Sequence, residues 1–283
     1  MMKSKDLFLC RRWTAVLVTI FFAVLPRPIQ GGINPGAKFL FLNEERRSFS
    51  LPITNSDDGT VEVSITVKFG YVVSNDSGQA TVVYDSTGKP PQSAADWVKV
   101  YPQRFILGPL ETQIVRLAAL PPPNLPAGEY WARVMVTSQI TKSSLALQGK
   151  KVSGMIFAQQ LGLPFHYRRG SVTTGLDVQN FNADVSEKSI QVTMDMTRTG
   201  NAAYWGTVGF RLFNNDRRRM FDSTSNVVVY TKFNTVYSLD RKGIPPGDYT
   251  LEVELKNEGR RDIRKTDIIQ GPPIRLTKSI TIR

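Results

Sequence analysis

Two stretches of this chain are variants of one another. Leu125 to Val136 reads LPAGEYWARVMV, and Ile244 to Leu255 reads IPPGDYTLEVEL. Each passes from an aliphatic residue and Pro through Gly and an acid to Tyr, then alternates toward Val or Leu. Proline fixes φ and glycine admits positive φ, so each copy predicts a tight turn feeding directly into a strand. Tyr130, Ala132, Val134 and Val136 share one face, as do Tyr249, Leu251, Val253 and Leu255. The first copy is apolar on its other face too, through Trp131 and Met135. The second is half polar, with Thr250, Glu252 and Glu254 outward. The copies begin 119 residues apart, and about 100 residues is the usual size of an immunoglobulin-like unit. The expected fold is therefore all-β, as two tandem immunoglobulin-like β-sandwich domains.

A chain of 283 residues has room for two such cores. With 21 Gly and 17 Pro and no long Ala, Leu or Glu run, composition favours strands and turns over helices. Residues 1–32 stand apart. Lys3, Lys5, Arg11 and Arg12 precede the apolar run Trp13 to Leu25, which is too short for the roughly 20 residues that span a bilayer. A basic flank before a short apolar core is the pattern of a secretory signal peptide. Export and the absence of a stable membrane span in the mature chain follow as expectations. The only cysteine, Cys10, falls inside this segment, so both sandwiches must fold without disulfides.

The formal net charge of +12 falls to about +8 once the signal is set aside, and residues 168–283 carry 19 bases against 13 acids. Those bases are scattered, apart from Arg217-Arg218-Arg219 after the turn residues Asn214-Asn215-Asp216. This pattern reads as a solvated basic face, and no nucleic-acid partner is expected.

Along the chain, Lys38 to Leu42 predicts a first strand, and Arg47 to Thr54 alternates Phe49, Leu51 and Ile53. Val61, Val63, Ile65, Val67 and Phe69 form the clearest alternation. Tyr71 to Val73 and Ala80 to Tyr84 flank the turn Asn75-Asp76-Ser77-Gly78. After a polar loop at 85–96, strands are expected near 97–101, 104–107 and 113–117, ahead of the first repeat. A long connection, Thr141 to Lys151, leads to Gly154–Tyr167, GMIFAQQLGLPFHY, in which Met155, Phe157, Gln159, Leu161, Leu163, Phe165 and Tyr167 share one face. Arg168-Arg169-Gly170 marks the expected junction, with domains at 33–168 and 169–283. Beyond it, Ile190, Val192, Met194 and Met196 alternate, and Ile274 to Ile282 closes the fold.

Catalytic chemistry finds little support. The chain has one His, no Cys after the signal, and no phosphate loop or metal-ligand spacing. His166 reads as a packed junction residue. Asp57-Asp58 and Glu44-Glu45 read as hairpin tips, and the acids of GEY and GDY as turn residues. Tyr130 and Tyr249 read as tyrosine-corner residues. No enzyme activity, cofactor or metal is expected. The long apolar strand is the remaining feature, because an uncovered strand edge invites strand addition.

Several segments together resemble the periplasmic chaperones of chaperone/usher pilus assembly. They are Ile53-Thr54-Asn55; Val100 to Pro109, VYPQRFILGP; Gln113 to Leu117, QIVRL; Leu125-Pro126; and Phe165 to Arg168. The resemblance covers most of residues 37–170. It implies a periplasmic protein of two angled immunoglobulin-like domains that lends its long strand to pilin-like or fimbrial subunits, with an outer-membrane usher as a further partner. It implies subunit-binding roles for Met155, Phe157, Gln159, Leu161 and Leu163, with Gln159 interrupting the apolar row. It also implies a basic pair holding the subunit's C-terminal carboxylate. Lys38 lies near the first of the pair, an Arg in the family; the second, a Lys, has no match, since Leu163 or Pro164 stands there, and Arg168 or Arg169 would substitute only with a different cleft geometry. LPAGEYWARV differs from the family's LP-x-D-R-E-S. The alternative is a non-enzymatic structural or adhesive module of a secreted or cell-surface assembly, in which the long strand would be internal.

Overall fold

The computed structural model describes residues 32–84, 90–140 and 158–283. Most of the expected signal segment, residues 85–89, the connection 141–151, and Met155 and Phe157 lie outside the described residues.

The first eleven strands are β1 (Ile33–Pro35), β2 (Leu40–Asn43), β3 (Ser48–Asn55), β4 (Val61–Lys68), β5 (Gly70–Ser74), β6 (Ala80–Tyr84), β7 (Val98–Tyr101), β8 (Arg104–Leu107), β9 (Thr112–Ala119), β10 (Gly128–Ile140) and β11 (Ala158–Arg169). Seven follow: β12 (Thr174–Val185), β13 (Ser189–Gly200), β14 (Tyr204–Asn214), β15 (Arg219–Val229), β16 (Lys232–Asp240), β17 (Gly247–Lys256) and β18 (Ile274–Ile282). A single 3-10 turn at Lys265–Asp267 is the helical element among the described residues. The fold is all-β, built as two immunoglobulin-like sandwiches. One packs the sheet β1-β3-β9-β7 on the sheet β2-β11-β10-β4-β8, and the other packs β12-β13-β16 on β15-β14-β17-β18.

Period-two alternation sets each core, because successive side chains of a strand point to opposite faces. In β3, Leu51 and Ile53 are sealed, and in β4, Val61, Val63 and Ile65 join them in the first core. Ile190, Val192, Met194 and Met196 of β13 meet Leu251, Val253 and Leu255 of β17 in the second. Phe69 departs from the β4 pattern. It follows the strand and packs in a third cluster with Phe41, Trp131, Trp205 and Tyr230, which joins the two sandwiches.

The two repeats occupy equivalent places, β10 and β17. Tyr130 donates its hydroxyl to the Pro126 carbonyl at 2.9 Å, and Tyr249 donates to the Pro245 carbonyl at 2.7 Å. Each bond returns over the proline turn and fixes where the strand begins. The second copy is half buried in its alternate positions, as its sequence indicates. The first is buried from Gly128 to Val136. Its inner face lines the first core, while Trp131 on its outer face enters the joint.

The first segment of the chain changes sheets. β1 pairs with β3, whereas β2 runs parallel to the end of β11. Gly36 makes the crossing possible: its N–H donates to the Pro52 carbonyl at 2.8 Å, and a β-carbon there would strike the Pro52 ring. Among the described residues β5 and β6 pair only with each other, as a hairpin laid over the joint.

Loss of either corner hydroxyl removes one partly buried hydrogen bond. Tyr130→Phe and Tyr249→Phe should each cost about 1 kcal/mol. Because the two lie in different sandwiches, the costs should add to within about 0.5 kcal/mol, which denaturant midpoints of the single and double variants will read.

Candidate functional site

β11 is a strand with two unlike halves. On one side it pairs with β10 along its whole described length, from Gln139↔Ala158 to Gly128↔Arg169. On the other, β2 pairs only with Phe165 to Arg168. From Ala158 to Pro164 that edge has no strand partner among the described residues. The reason lies in β1 and β2: the segment crosses to β11 only after Gly36, too late to reach the first half. Among the described residues three side-chain bonds touch that half: the Ile33 N–H donates to Gln159 Oε1 at 3.1 Å, Arg133 donates to the Gly162 carbonyl at 3.2 Å, and the Gln160 amide donates to Thr137 Oγ1 at 3.0 Å.

Burial changes along the same strand. Ala158, Gln159 and Gln160 are exposed, Leu161 and Gly162 are half-buried, and Leu163, Phe165 and Tyr167 lie in the first core. The expected donor row is thus divided. Leu163 belongs to the sandwich's own interior, because at that position the opposing sheet still covers the strand; Gln159 and Leu161 lie where that cover ends.

The three cations considered for a carboxylate do not converge. Arg168 donates through Nε to Glu129 at 2.7 Å and lies over the Phe41 ring at 4.9 Å. Arg169 donates to the carbonyls of Pro122 and Pro123 at 3.0 and 2.7 Å. An incoming carboxylate would compete with Glu129 for the first and with the proline turn for the second. Lys38 is exposed and lines a cavity of about 250 Å3 with Phe39, Phe41, Phe49 and Ile263. Asp262 across that cavity is held below its usual range chiefly by its hydrogen bond to Arg260, with the Lys38 charge a smaller contribution.

Glu129 is where the sequence reading fails. The acid of GEY was expected in the turn, but it is the second residue of β10 and 1% exposed. Its Oε1 accepts from His166 Nδ1 at 3.1 Å and from the Ala203 N–H at 3.2 Å, and its Oε2 from Arg168. Tyr230 completes the chain, donating to His166 Nε2 at 3.0 Å. These bonds set the neutral imidazole with its proton on Nδ1. The His166 ring stacks between Phe41 and Tyr230, with centroids at 4.9 and 5.6 Å. The network reaches from β10 and β11 of one sandwich to Ala203 and Tyr230 of the other. A missed signal was present: an acid opening a strand apolar on both faces has no wet side to turn to.

Carboxylate, imidazole and phenol in series are the parts of a proton relay, yet all three are sealed, with His166 at 0% exposure. No substrate can reach them, and the arrangement is a structural joint. Burial would raise the Glu129 carboxyl, but the imidazole and guanidinium beside it prevail and hold it near about 2. Burial pushes His166 below its ordinary value despite Glu129, keeping it neutral. Among the described residues, no group of three or more His, Cys, Asp or Glu gathers to hold a metal ion, and no helix is long and apolar enough to cross a membrane.

No family model matches the chain, and no curated protein matches it. Among solved structures it is similar to the periplasmic chaperone SfaE, at 13% identity and TM-score 0.42 over 86% of this chain and 98% of that one. It is similar to a chain of the CsuC–CsuE chaperone–tip adhesion subunit pre-assembly complex from the archaic chaperone-usher Csu pili of Acinetobacter baumannii, at 11% and 0.45 over 86% and 97%. A third likeness is to the Salmonella enterica SafA pilin in complex with the SafB chaperone, at 11% and 0.41 over 87% and 96%.

The joint predicts an acid-sensitive protein. An unfolded chain takes up the His166 proton near 6.5 and the Glu129 proton near 4.5, whereas the folded chain resists both. The joint's contribution to stability is therefore complete above 6.5, falls as pH drops below it, and falls again from 4.5 toward about 2. Since His166 is the single histidine, His166→Gln should remove the upper limb of the loss and shrink the lower one, which Arg168 alone then sustains, in urea melts across pH. Glu129→Ala, which strands Arg168 and His166, should cost about 3 to 5 kcal/mol.

Proposed function

We propose that this chain is a periplasmic chaperone that binds pilin-like or fimbrial subunits and stabilises them by lending a strand, residues 154–167, before assembly at the outer membrane. The observation that carries this reading is the half-open β11: fastened by β10 and β2 at its end, it has no strand partner on its other edge from Ala158 to Pro164 among the described residues. A sandwich lacking one strand exposes both an apolar groove and unpaired backbone groups. An open edge meets the second need with N–H and C=O groups, and alternate side chains meet the first. The fastened half holds the lending half in place, so less ordering remains to be done on binding.

On this reading Met155 and Phe157, which continue the parity of Gln159 and Leu161, enter the subunit's groove. Leu163 anchors the strand in the chaperone. Lys38, whose ammonium has no hydrogen-bond partner among the described residues, is the cation free for a subunit carboxylate. Arg168 holds the joint through Glu129, Arg169 fastens the end of β11 to the proline turn, and the domain boundary falls just beyond that strand. The N-terminal signal delivers the chain to the periplasm, and an usher at the outer membrane receives the loaded subunit. The module reading draws on the burial of Leu163, Phe165 and Tyr167, which makes the second half of β11 an internal strand.

Burying one phenylalanine in a subunit groove is worth about 3 kcal/mol, about a hundredfold in dissociation constant. Full-length protein with a C-terminal tag, purified from the soluble envelope fraction of its native host, should bring with it a small all-β subunit that Phe157→Glu loses while remaining folded. Recovery of the same partners by both proteins would reject strand lending and favour the module.

A further inference from the structure

The three-stranded sheet of the second sandwich has an exposed flank at β16. That strand pairs with β13 on one side and, among the described residues, with no strand on the other. Its outward row is Lys232, Asn234, Val236, Ser238 and Asp240, so between its charged ends it carries none of the charges that usually protect an edge. Val236 is 46% exposed. Such a strand is a template for pairing with another chain.

The hairpin of β5 and β6 lies against this flank. Ser74 Oγ, at the end of β5, accepts the Asn234 N–H at 2.9 Å. That N–H therefore points away from β13, and by alternation so does the N–H of Val236. Gly78, in the hairpin turn at φ +72°, meets Val236 directly: a β-carbon there would lie 2.9 Å from its amide nitrogen. Glycine both adopts this backbone and lets the turn approach. The base of the hairpin is anchored in the joint, where Tyr71 packs between Trp131 and Tyr230 at 6.2 and 6.0 Å.

We infer that the β5–β6 hairpin is an edge guard, occupying the strand-addition position of β16, and that its withdrawal lets β16 pair with β16 of a second copy of this chain. The antiparallel pairing of two identical edges around a two-fold axis satisfies the N–H groups that the hairpin releases. This device is independent of β11, which lies in the other sandwich.

The test replaces Val73 to Thr81 by Asn-Gly, a two-residue hairpin turn that keeps the Val72↔Val82 pair and Tyr71. Gly78→Val, which pushes the tip off the edge without shortening it, serves as a second variant should the first not fold. Sedimentation over a concentration series should show self-association tightened by about tenfold or more over the wild type in either variant. Adding Val236→Lys should return it to the wild-type level. Folded variants that sediment as the wild type does would overturn the inference, as would association that Val236→Lys leaves unchanged.

Discussion

A buried carboxylate is tolerable only where donors surround it, and Glu129 obtains its donors from both sandwiches. The desolvation cost of such an ion is several kcal/mol, so the donors must already be in place. His166 and Arg168 come from β11, while the Ala203 amide comes from the approach to β14. Aromatic rings close over the group, with Phe41 and Tyr230 on the two faces of the imidazole and Trp205 at its edge. Neither sandwich completes this site alone, and the pairing of the two is written into its chemistry. The same pairing explains why the first repeat is apolar on both faces: the outer face of β10 is an interior surface.

The strand edges follow from how the remaining segments are spent. β2 covers the second half of β11 and stops, because the chain before Gly36 is engaged with β3. The β5–β6 hairpin crosses the joint and sits against β16. Among the described residues, one edge is thus left without a strand partner where the strand emerges from its core, and another is covered by a segment that joins no wider sheet. The relay-like series of Glu129, His166 and Tyr230 is sealed inside the joint.

Much of this was legible in residues. The Pro-Gly-acid-Tyr repeats located two equivalent strands, and their tyrosine-corner bonds are those a Tyr four residues after a turn proline can make. Alternation in β3, β4, β13 and β17 identified the inward faces because each of those strands has one wet side. His166 was readable as a packed junction residue from its apolar neighbours. Glu129 was misread because its neighbours Gly128 and Tyr130 have the same local signature as those of Asp248, which is exposed and bonded to Thr281. Arg168 was readable as a cation but not as a partner of Glu129, 39 residues away in sequence.

By itself the sequence determined the all-β class, two sandwiches of one plan, the long strand and the scarcity of reactive side chains. Those properties are local, since periodicity, turn chemistry and composition act within a few residues. Only the tertiary structure decided that one acid of the repeat is buried and the other wet, that Leu163 is core while Gln159 is exposed, and that, among the described residues, β11 has a half without a second strand partner and β16 a covered edge. Each of these depends on which distant segment lies alongside, and two similar turn-to-strand patterns acquire different roles when one faces a second sandwich and the other faces water.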